Sequence, residues 1–241
     1  MNKKTVLISG GTSGIGKGAA AQLLNDGFNV VTFSIDKKKI NSLQKELEKK
    51  YSQKQFLILQ ADVNNEKELS IVVKKTLEKF KVIDILINNA GIGYFSDCDT
   101  ADMSRFQEML QINVVGLALL TKLVVPHMKQ QKEGLIINIA SISGKVALVN
   151  GEFYSAAKFG VMGYSQGIRN ELKDFGIKVA TLCPGMIKTG FLDKKELERR
   201  KKLLQGKFPQ MLAVEDITRI ISLVCNQSKH CDIQDLTVMP F

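Results

Sequence analysis

Short runs rich in aliphatic and β-branched residues alternate along this chain with longer segments whose apolar positions recur every three to four residues. The runs read as strands near residues 4–9, 29–34, 56–61, 83–88, 134–140, 177–182 and 233–239. Helical patterns fall between them, around 14–26, 37–50, 66–80, 102–129, 152–175 and 214–226. Such alternation predicts one α/β domain over residues 1–241, a doubly wound parallel sheet with helices on both faces, right-handed crossovers and the strand order 3-2-1-4-5-6-7. No solenoid-type repeat, Pro/Ser-rich linker or low-complexity tail interrupts it.

The first strand, Thr5-Val6-Leu7-Ile8, runs into Ser9-Gly10-Gly11-Thr12-Ser13-Gly14-Ile15-Gly16, and Ile15, Ala19, Ala20, Leu23 and Leu24 then mark an apolar helix face. A glycine loop in that context aims backbone amides and the helix dipole at an anion, and its missing side chains let a pyrophosphate approach. Two later strands also deliver polar residues at their carboxyl ends, where open α/β sheets bind ligands. Asn88-Asn89-Ala90-Gly91 follows Ile83-Asp84-Ile85-Leu86-Ile87, and Ser141 follows Ile136-Ile137-Asn138-Ile139-Ala140. Thirteen positions after Ser141 comes Tyr154, with Lys158 four further on along a helical pattern, so the pair shares one face. An ammonium beside a phenol stabilises the phenolate and brings a proton that ordinarily leaves near about 10 within reach of chemistry at neutral pH. Such a group can protonate the oxygen of a ketone receiving hydride, or deprotonate an alcohol losing one.

These segments together resemble the short-chain dehydrogenase/reductase family over essentially the whole chain. The matches are the glycine loop SGGTSGIG, the NNAG motif, Ser141, the Y-x-x-x-K of Tyr154 and Lys158, and Asn113 in Gln111-Ile112-Asn113-Val114. Asp62-Val63 matches the pair that the family places against the adenine, and Pro184-Gly185-Met186-Ile187-Lys188-Thr189 matches its segment beside the nicotinamide. The resemblance implies a Rossmann-type fold and an NAD(P)-dependent oxidoreductase that interconverts a carbonyl and a secondary alcohol by hydride transfer. It places the dinucleotide on Gly10, Thr12, Ser13, Gly14, Ile15 and Gly16 of the loop, on Ser34, Asp62 and Val63, and on Asn89, Ala90 and Gly91. Tyr154, Lys158, Pro184, Gly185, Ile187 and Thr189 complete the implied cofactor contacts.

By the same resemblance Tyr154 is the general acid/base and Ser141 a second hydroxyl on the substrate oxygen, with Ser143 a nearby rival for that role. Lys158 lowers the tyrosine pKa and holds the nicotinamide ribose. Asn113 lies in the long helix, where its carbonyl can hold a water that reprotonates Lys158. Residues 188–213, with Phe191, Leu192, Leu197, Leu203, Leu204, Phe208 and Met211 among many charges, correspond to a mobile lid over the substrate. The long helices at 102–129 and 152–175 imply a homodimer or homotetramer.

Cofactor choice turns on the end of the second strand. An acidic residue there would bond a free ribose 2′-hydroxyl and repel a 2′-phosphate, but Ser34 occupies that position. Asp36 reads as the N-cap of the following helix, and Lys17, Lys37 and Lys38 stand nearby. NADP is expected, with NAD the alternative, because Ile35 and Ser13 stand where a basic residue often favours the phosphate.

At 241 residues and 44% hydrophobic content the chain suits one domain with a sizeable core. No cationic leader opens it and no apolar run looks long enough to span a bilayer, so a cytoplasmic enzyme is the default. Cys98, Cys183, Cys225 and Cys231 show no metal-type or disulfide pairing, and no metal is expected. Cys183, near the expected cleft, reads as a small buried residue or a reactive thiol. The formal charge of +10 does not argue for nucleic acid, since the lysines are spread among glutamates on helical patterns. The densest basic run, Lys194–Lys202, reads as a solvated helix face or as a device steering an anionic substrate. Ile92, Tyr94, Phe95, Val149, Phe153, Met186, Phe191 and Leu192 are candidates for an apolar small-molecule pocket. A ketoacyl-thioester reductase is the narrower alternative, and a non-catalytic dinucleotide sensor or scaffold the alternative from another class.

Overall fold

The computed structural model describes residues 3–203 and 210–241. Leu204 and Phe208 of the expected lid lie outside the described residues. The strands are β1 (Thr5–Ser9), β2 (Asn29–Ser34), β3 (Phe56–Gln60), β4 (Ile85–Asn88), β5 (Gly134–Ile139), β6 (Ile177–Pro184) and β7 (Asp235–Val238). They pair in parallel throughout as one seven-stranded sheet, β3-β2-β1-β4-β5-β6-β7, the order expected from the sequence.

The helices are α1 (Gly14–Asn25), α2 (Lys37–Glu48), α3 (Glu66–Phe80), α4 (Met103–Leu110), α5 (Leu117–Gln131), α6 (Glu152–Leu172), α7 (Lys194–Leu203) and α8 (Val214–Cys225). Alternate strand residues point to opposite faces, so each strand feeds two cores. Val6, Ile8, Ile85, Ile87, Ile137 and Leu182 pack with Ala19, Leu23, Leu43, Ile217 and Ile221 of α1, α2 and α8. Leu7, Val31, Leu86, Ile136 and Val179 pack with Leu69, Val72, Leu120, Val124 and Leu172 of α3, α5 and α6. Gly18 allows α1 and α8 their close approach, because a Cβ there would lie 2.6 Å from Val214.

Three sequence readings are corrected. Strand β4 starts at Ile85 rather than Ile83, and just before it the Thr5 amide is taken by the Asp84 carboxylate, at 2.6 Å, in place of a backbone carbonyl. Strand β7 covers only residues 235–238. The expectation that nothing apolar is long enough for a bilayer also fails. α4, a π-helical segment (Gln111–Gly116) and α5 form one 29-residue helix, Met103–Gln131, whose most apolar stretch has a hydropathy of 1.7, enough to cross a membrane by length and composition. That apolar content has a use inside the fold, since Leu117, Leu120, Val124 and Met128 are buried.

Beneath the site a chain of buried polar groups ties helices to strands. Asn88 Nδ2 donates to Thr121 Oγ1 at 3.0 Å and to Asn138 Oδ1 at 2.8 Å, and Asn138 Nδ2 donates to Ser165 Oγ at 2.8 Å. The ladder fixes α5 and α6 against β4 and β5, which carry the motif residues at their ends. Asn138→Ala is expected to lower the unfolding free energy by about 2–4 kcal/mol, because buried groups on both sides lose a partner at roughly 1–3 kcal/mol each. Urea denaturation of the variant against the parent checks this.

Candidate active site

The glycine loop is held by a clasp from the neighbouring strand. Asn89 Nδ2 donates to the carbonyls of Ser9 at 3.0 Å and Gly10 at 3.1 Å, while Ser9 Oγ accepts the amides of Asn89 and Ala90, both at 3.0 Å. Only glycine fits beneath the clasp: a Cβ on Gly16 would lie 2.4 Å from Asn89 Nδ2, and one on Gly10, at φ +69°, 2.9 Å from Ala90 Cα. Gly14 opens α1 at φ +52° and faces Thr189, whose Cγ2 would stand 3.6 Å from an added Cβ. The loop and the segment after β6 thus face one another closely at the carboxyl end of the sheet, where open α/β folds bind ligands. Ser13 caps α1 with no side-chain bond, leaving first-turn amides directed to that space. An open α1 N-terminus behind glycines that cannot carry side chains fits a pyrophosphate.

Most of the other expected cofactor residues lie at or just after strand ends. Thr12 is buried, and Ile15 packs into the core beside α1. Ser34 ends β2 with its hydroxyl accepting the Asp36 amide at 3.2 Å. The Asp36 carboxylate caps α2 by accepting the Lys39 amide at 3.0 Å, as its sequence position suggested. Asp62 accepts the Asn64 amide at 2.9 Å, and buried Val63 packs against Gly116. Gly91 leaves room for Asn113 Oδ1, 3.0 Å from where its Cβ would be. Gly185 donates to Val238 at 2.7 Å after Pro184 ends β6, Ile187 bridges to Leu212, and Thr189 donates to the Ile187 carbonyl at 2.8 Å.

Asn113 sits in the π-helical segment, a local widening that recurs at functional sites. Its amide is doubly engaged, Oδ1 accepting from Ile92 N and Nδ2 donating to Ile92 O, each at 2.8 Å. The side chain is therefore a strut joining the helix to the loop after β4, and any water held by this residue must rest on its main-chain carbonyl. Ser141 caps a short 3₁₀ turn, its Oγ accepting the Ser143 amide at 3.1 Å. Ser143 is 1% exposed, beneath the surface that Ser141 presents.

Tyr154 and Lys158 lie together on α6, 8% and 6% exposed, with Lys158 Nζ 5.8 Å from the phenol ring centre. Burial dominates both. It pushes the Tyr154 hydroxyl up to about 12, opposed by the Ser141 hydroxyl and then the Arg200 charge. It pulls Lys158 down to about 8, while Nζ donates to the Ile139 carbonyl at 2.9 Å. Ser141 and Arg200 are the groups that draw the phenol down, while the Lys158 ammonium, 5.8 Å from the ring centre, donates to a backbone carbonyl.

Aromatic rings wall the phenol. Phe95 and Phe191 lie 5.2 and 5.8 Å from its ring centre, and Phe153 stacks on Tyr94 and Phe106 beyond them. Ile92, Tyr94, Phe95 and Phe153 of the expected pocket pack with Tyr154, whereas Val149 is 77% exposed and does not. Cys183 is a buried thiol raised by burial, 3.4 Å from Met162 Sδ, in keeping with a small packed residue. The basic run forms α7, where most charged side chains are exposed but Arg200 is only 7% exposed. The sequence reading missed Arg200, Asn138, Ser165 and Thr121; a single arginine inside a helical charge run has no local mark that it turns inward.

A strand-ordered crevice with a clasped glycine loop and a buried Ser–Tyr–Lys group defines a class of dinucleotide-fold oxidoreductases. The short chain dehydrogenase family model matches residues 4–200, and the chain belongs to that family. A protein of Staphylococcus saprophyticus described as an uncharacterized oxidoreductase is 32% identical over 242 residues, covering 100% of this chain and 98% of its own. ElxO with NADP bound aligns with a TM-score of 0.86 at 27% identity, covering 98% of this chain and 97% of that one. A 3-ketoacyl-(acyl-carrier-protein) reductase from Brucella melitensis complexed with NADH aligns with a TM-score of 0.87 at 28% identity, covering 98% and 96%.

The buried ammonium has a stability signature. Its folded pKa of about 8 lies below the ordinary 10.5, so the fold bears the burial cost at neutral pH. As pH rises from about 8 towards 10.5 the folded state releases its proton first and that cost fades. Lys158→Met is expected to raise the melting temperature of the dinucleotide-free protein near neutral pH, with the gain shrinking across that window. Circular-dichroism melts at several pH values check this, and a gain independent of pH contradicts it.

Proposed function

We propose that this chain is an NADP(H)-dependent oxidoreductase that interconverts a carbonyl compound and a secondary alcohol. The observation that carries the reading is the buried grouping of Ser141, Tyr154 and Lys158, in a chain whose clasped glycine loop leaves the α1 N-terminus without a side-chain cap. When bound, the nicotinamide supplies or accepts the hydride. Negative charge then develops on the substrate oxygen, and preorganised donors in a water-poor site stabilise it. Tyr154 gives the proton, Ser141 offers a second hydroxyl, and the walls of Phe95 and Phe191 exclude water. Lys158, whose ammonium donates to the Ile139 carbonyl beside the phenol, is the residue that would hold the nicotinamide ribose. Asn113 keeps the β4 loop in place and offers its main-chain carbonyl to a proton-relay water.

For the 2′-phosphate, Ser34 leaves no acidic side chain at the β2 end, Asp36 is committed to capping α2, and Lys37 and Lys38 are exposed beside it. Lys17 is 2.7 Å from Glu46, which weakens its part in that site. The likeness to NADP-bound ElxO supports the same choice. Residues 188–213 act as the lid, and the exposed Val115 and Phe159 on the long helices support a homo-oligomer. A cytoplasmic location and a small-molecule carbonyl or alcohol substrate belong to the same reading. The Brucella reductase keeps ketoacyl thioesters as the rival substrate class.

One experiment tests the assignment. Tyr154→Phe and the parent protein are compared for NAD(P)H-linked turnover of a carbonyl panel and for dinucleotide affinity by fluorescence titration. The variant is expected to lose turnover by about 10²-fold or more, as removal of a general acid does, while binding NADPH as tightly as the parent does. Retained turnover rejects Tyr154 as the acid, and tighter binding of NADH rejects the cofactor choice.

A further inference from the structure

Arg200 stands out among the charged side chains of α7. It is 7% exposed and lies with Cζ 4.1 Å over the Phe95 ring, the same ring that packs against Tyr154. Its Nη2 would stand 3.3 Å from a Cβ on Gly151, the residue that starts α6, so the guanidinium reaches across the roof of the pocket to the helix bearing the phenol. Burying a guanidinium is costly unless its N–H groups are satisfied. Here one is not: Nη2 has no hydrogen-bond acceptor among the described residues. Nε is taken by Glu196 Oε1 at 2.9 Å. Glu196 also serves Arg199 through Oε2 at 3.3 Å, and Arg199 in turn reaches Asp97 at 3.1 Å. One carboxylate is thus shared by two guanidinium groups, and the inner one keeps a buried Nη2 with no acceptor among the described residues.

We propose that Arg200 binds a carboxylate of the substrate, so that the enzyme acts on an oxo acid or the corresponding hydroxy acid rather than on a neutral ketone. The inference rests on the oxidoreductase reading above and names its substrate class. A planar guanidinium fork stacked on an aromatic ring matches a planar carboxylate, which can fill two N–H groups at once. Phe95 separates the guanidinium from the phenol by one ring, so the carbonyl and the carboxylate belong to one small molecule that spans the pocket. A thioester of an acyl carrier has no anionic group so close to its reacting carbonyl, and the buried Nη2 would stay unfilled beside it. The rest of the basic run stays at the surface, where it serves solubility and long-range attraction.

The test pairs turnover with binding. Levulinate, its methyl ester and a ketoacyl thioester are assayed with the parent, Arg200→Gln and Arg200→Lys. Butyrate and butyramide are titrated calorimetrically into the NADP-bound proteins. In the parent, kcat/KM for the acid is expected to exceed that for the ester by about 10-fold or more, the discrimination typical of a hydrogen bond to a charged group. Arg200→Gln is expected to lose that preference, mainly through KM, and to lose the preference for butyrate over butyramide while binding NADPH normally. Arg200→Lys, which keeps charge without the fork, is expected to fall between them, and melting curves show that each variant is folded. Equal handling of acid and ester by the parent, preference for the thioester, or butyrate binding unaffected by Arg200→Gln overturns the proposal. If no carbonyl is turned over but butyrate binding still depends on Arg200, the redox reading fails and the carboxylate site stands.

Discussion

Desolvation governs the chemistry of this crevice. Tyr154 and Lys158 are both buried, which drives the phenol pKa up to about 12 and the amine down to about 8, each away from its charged form. A tyrosine in that state holds its proton too firmly to exchange it freely at neutral pH. Positive charge has to be brought to the phenol for the site to work. The structure holds two sources, the Arg200 guanidinium in the roof and the Lys158 ammonium against the Ile139 carbonyl. On the proposed reading, proton transfer therefore depends on what else is bound, which couples Tyr154 to the binding of dinucleotide and substrate.

Such a buried pair needs a rigid support, and the fold supplies it through polar contacts between neighbouring strand ends. The Asn89 and Ser9 clasp locks the glycine loop to β4, and the Asn88–Asn138–Ser165 ladder locks β4 and β5 to the helix carrying Tyr154. Asn113 adds a strut from the long helix to the loop after β4. These asparagines act on the geometry of the site through the backbone, where each satisfies groups that would otherwise be buried without partners.

The sheet order, the glycine loop and the Ser141, Tyr154 and Lys158 group were legible in the sequence because each has a local signature: periodicity, a strand-to-helix glycine turn, and helical spacing. The Asp36 cap was legible for the same reason. What was not legible depends on contacts distant in sequence. Asn138 meets Asn88 across fifty residues, and nothing near either one announces the pairing. Arg200 sits in a run of charges whose helical spacing suits a solvated face, and only packing against Phe95 and Gly151 turns it inward. The direction of the Lys158 ammonium was equally hidden, since spacing places it on the face of Tyr154 but cannot show that the Ile139 carbonyl claims its proton. The long apolar helix misled in the other direction, because a segment broken by Lys122 and Pro126 still averages to a membrane-like hydropathy.

The central claim is that the phenol becomes a usable acid only when charge is gathered around it. Its most direct test is an ultraviolet difference titration of the parent protein against Tyr154→Phe, with and without NADP, which isolates the ionisation of this one ring. Without dinucleotide, Tyr154 is expected to remain protonated at the pH where free tyrosine titrates, about 10. With NADP bound, its phenolate signal is expected to emerge at distinctly lower pH. A phenol that ionises at the same pH in both states, or as readily as free tyrosine in the empty protein, would contradict the account.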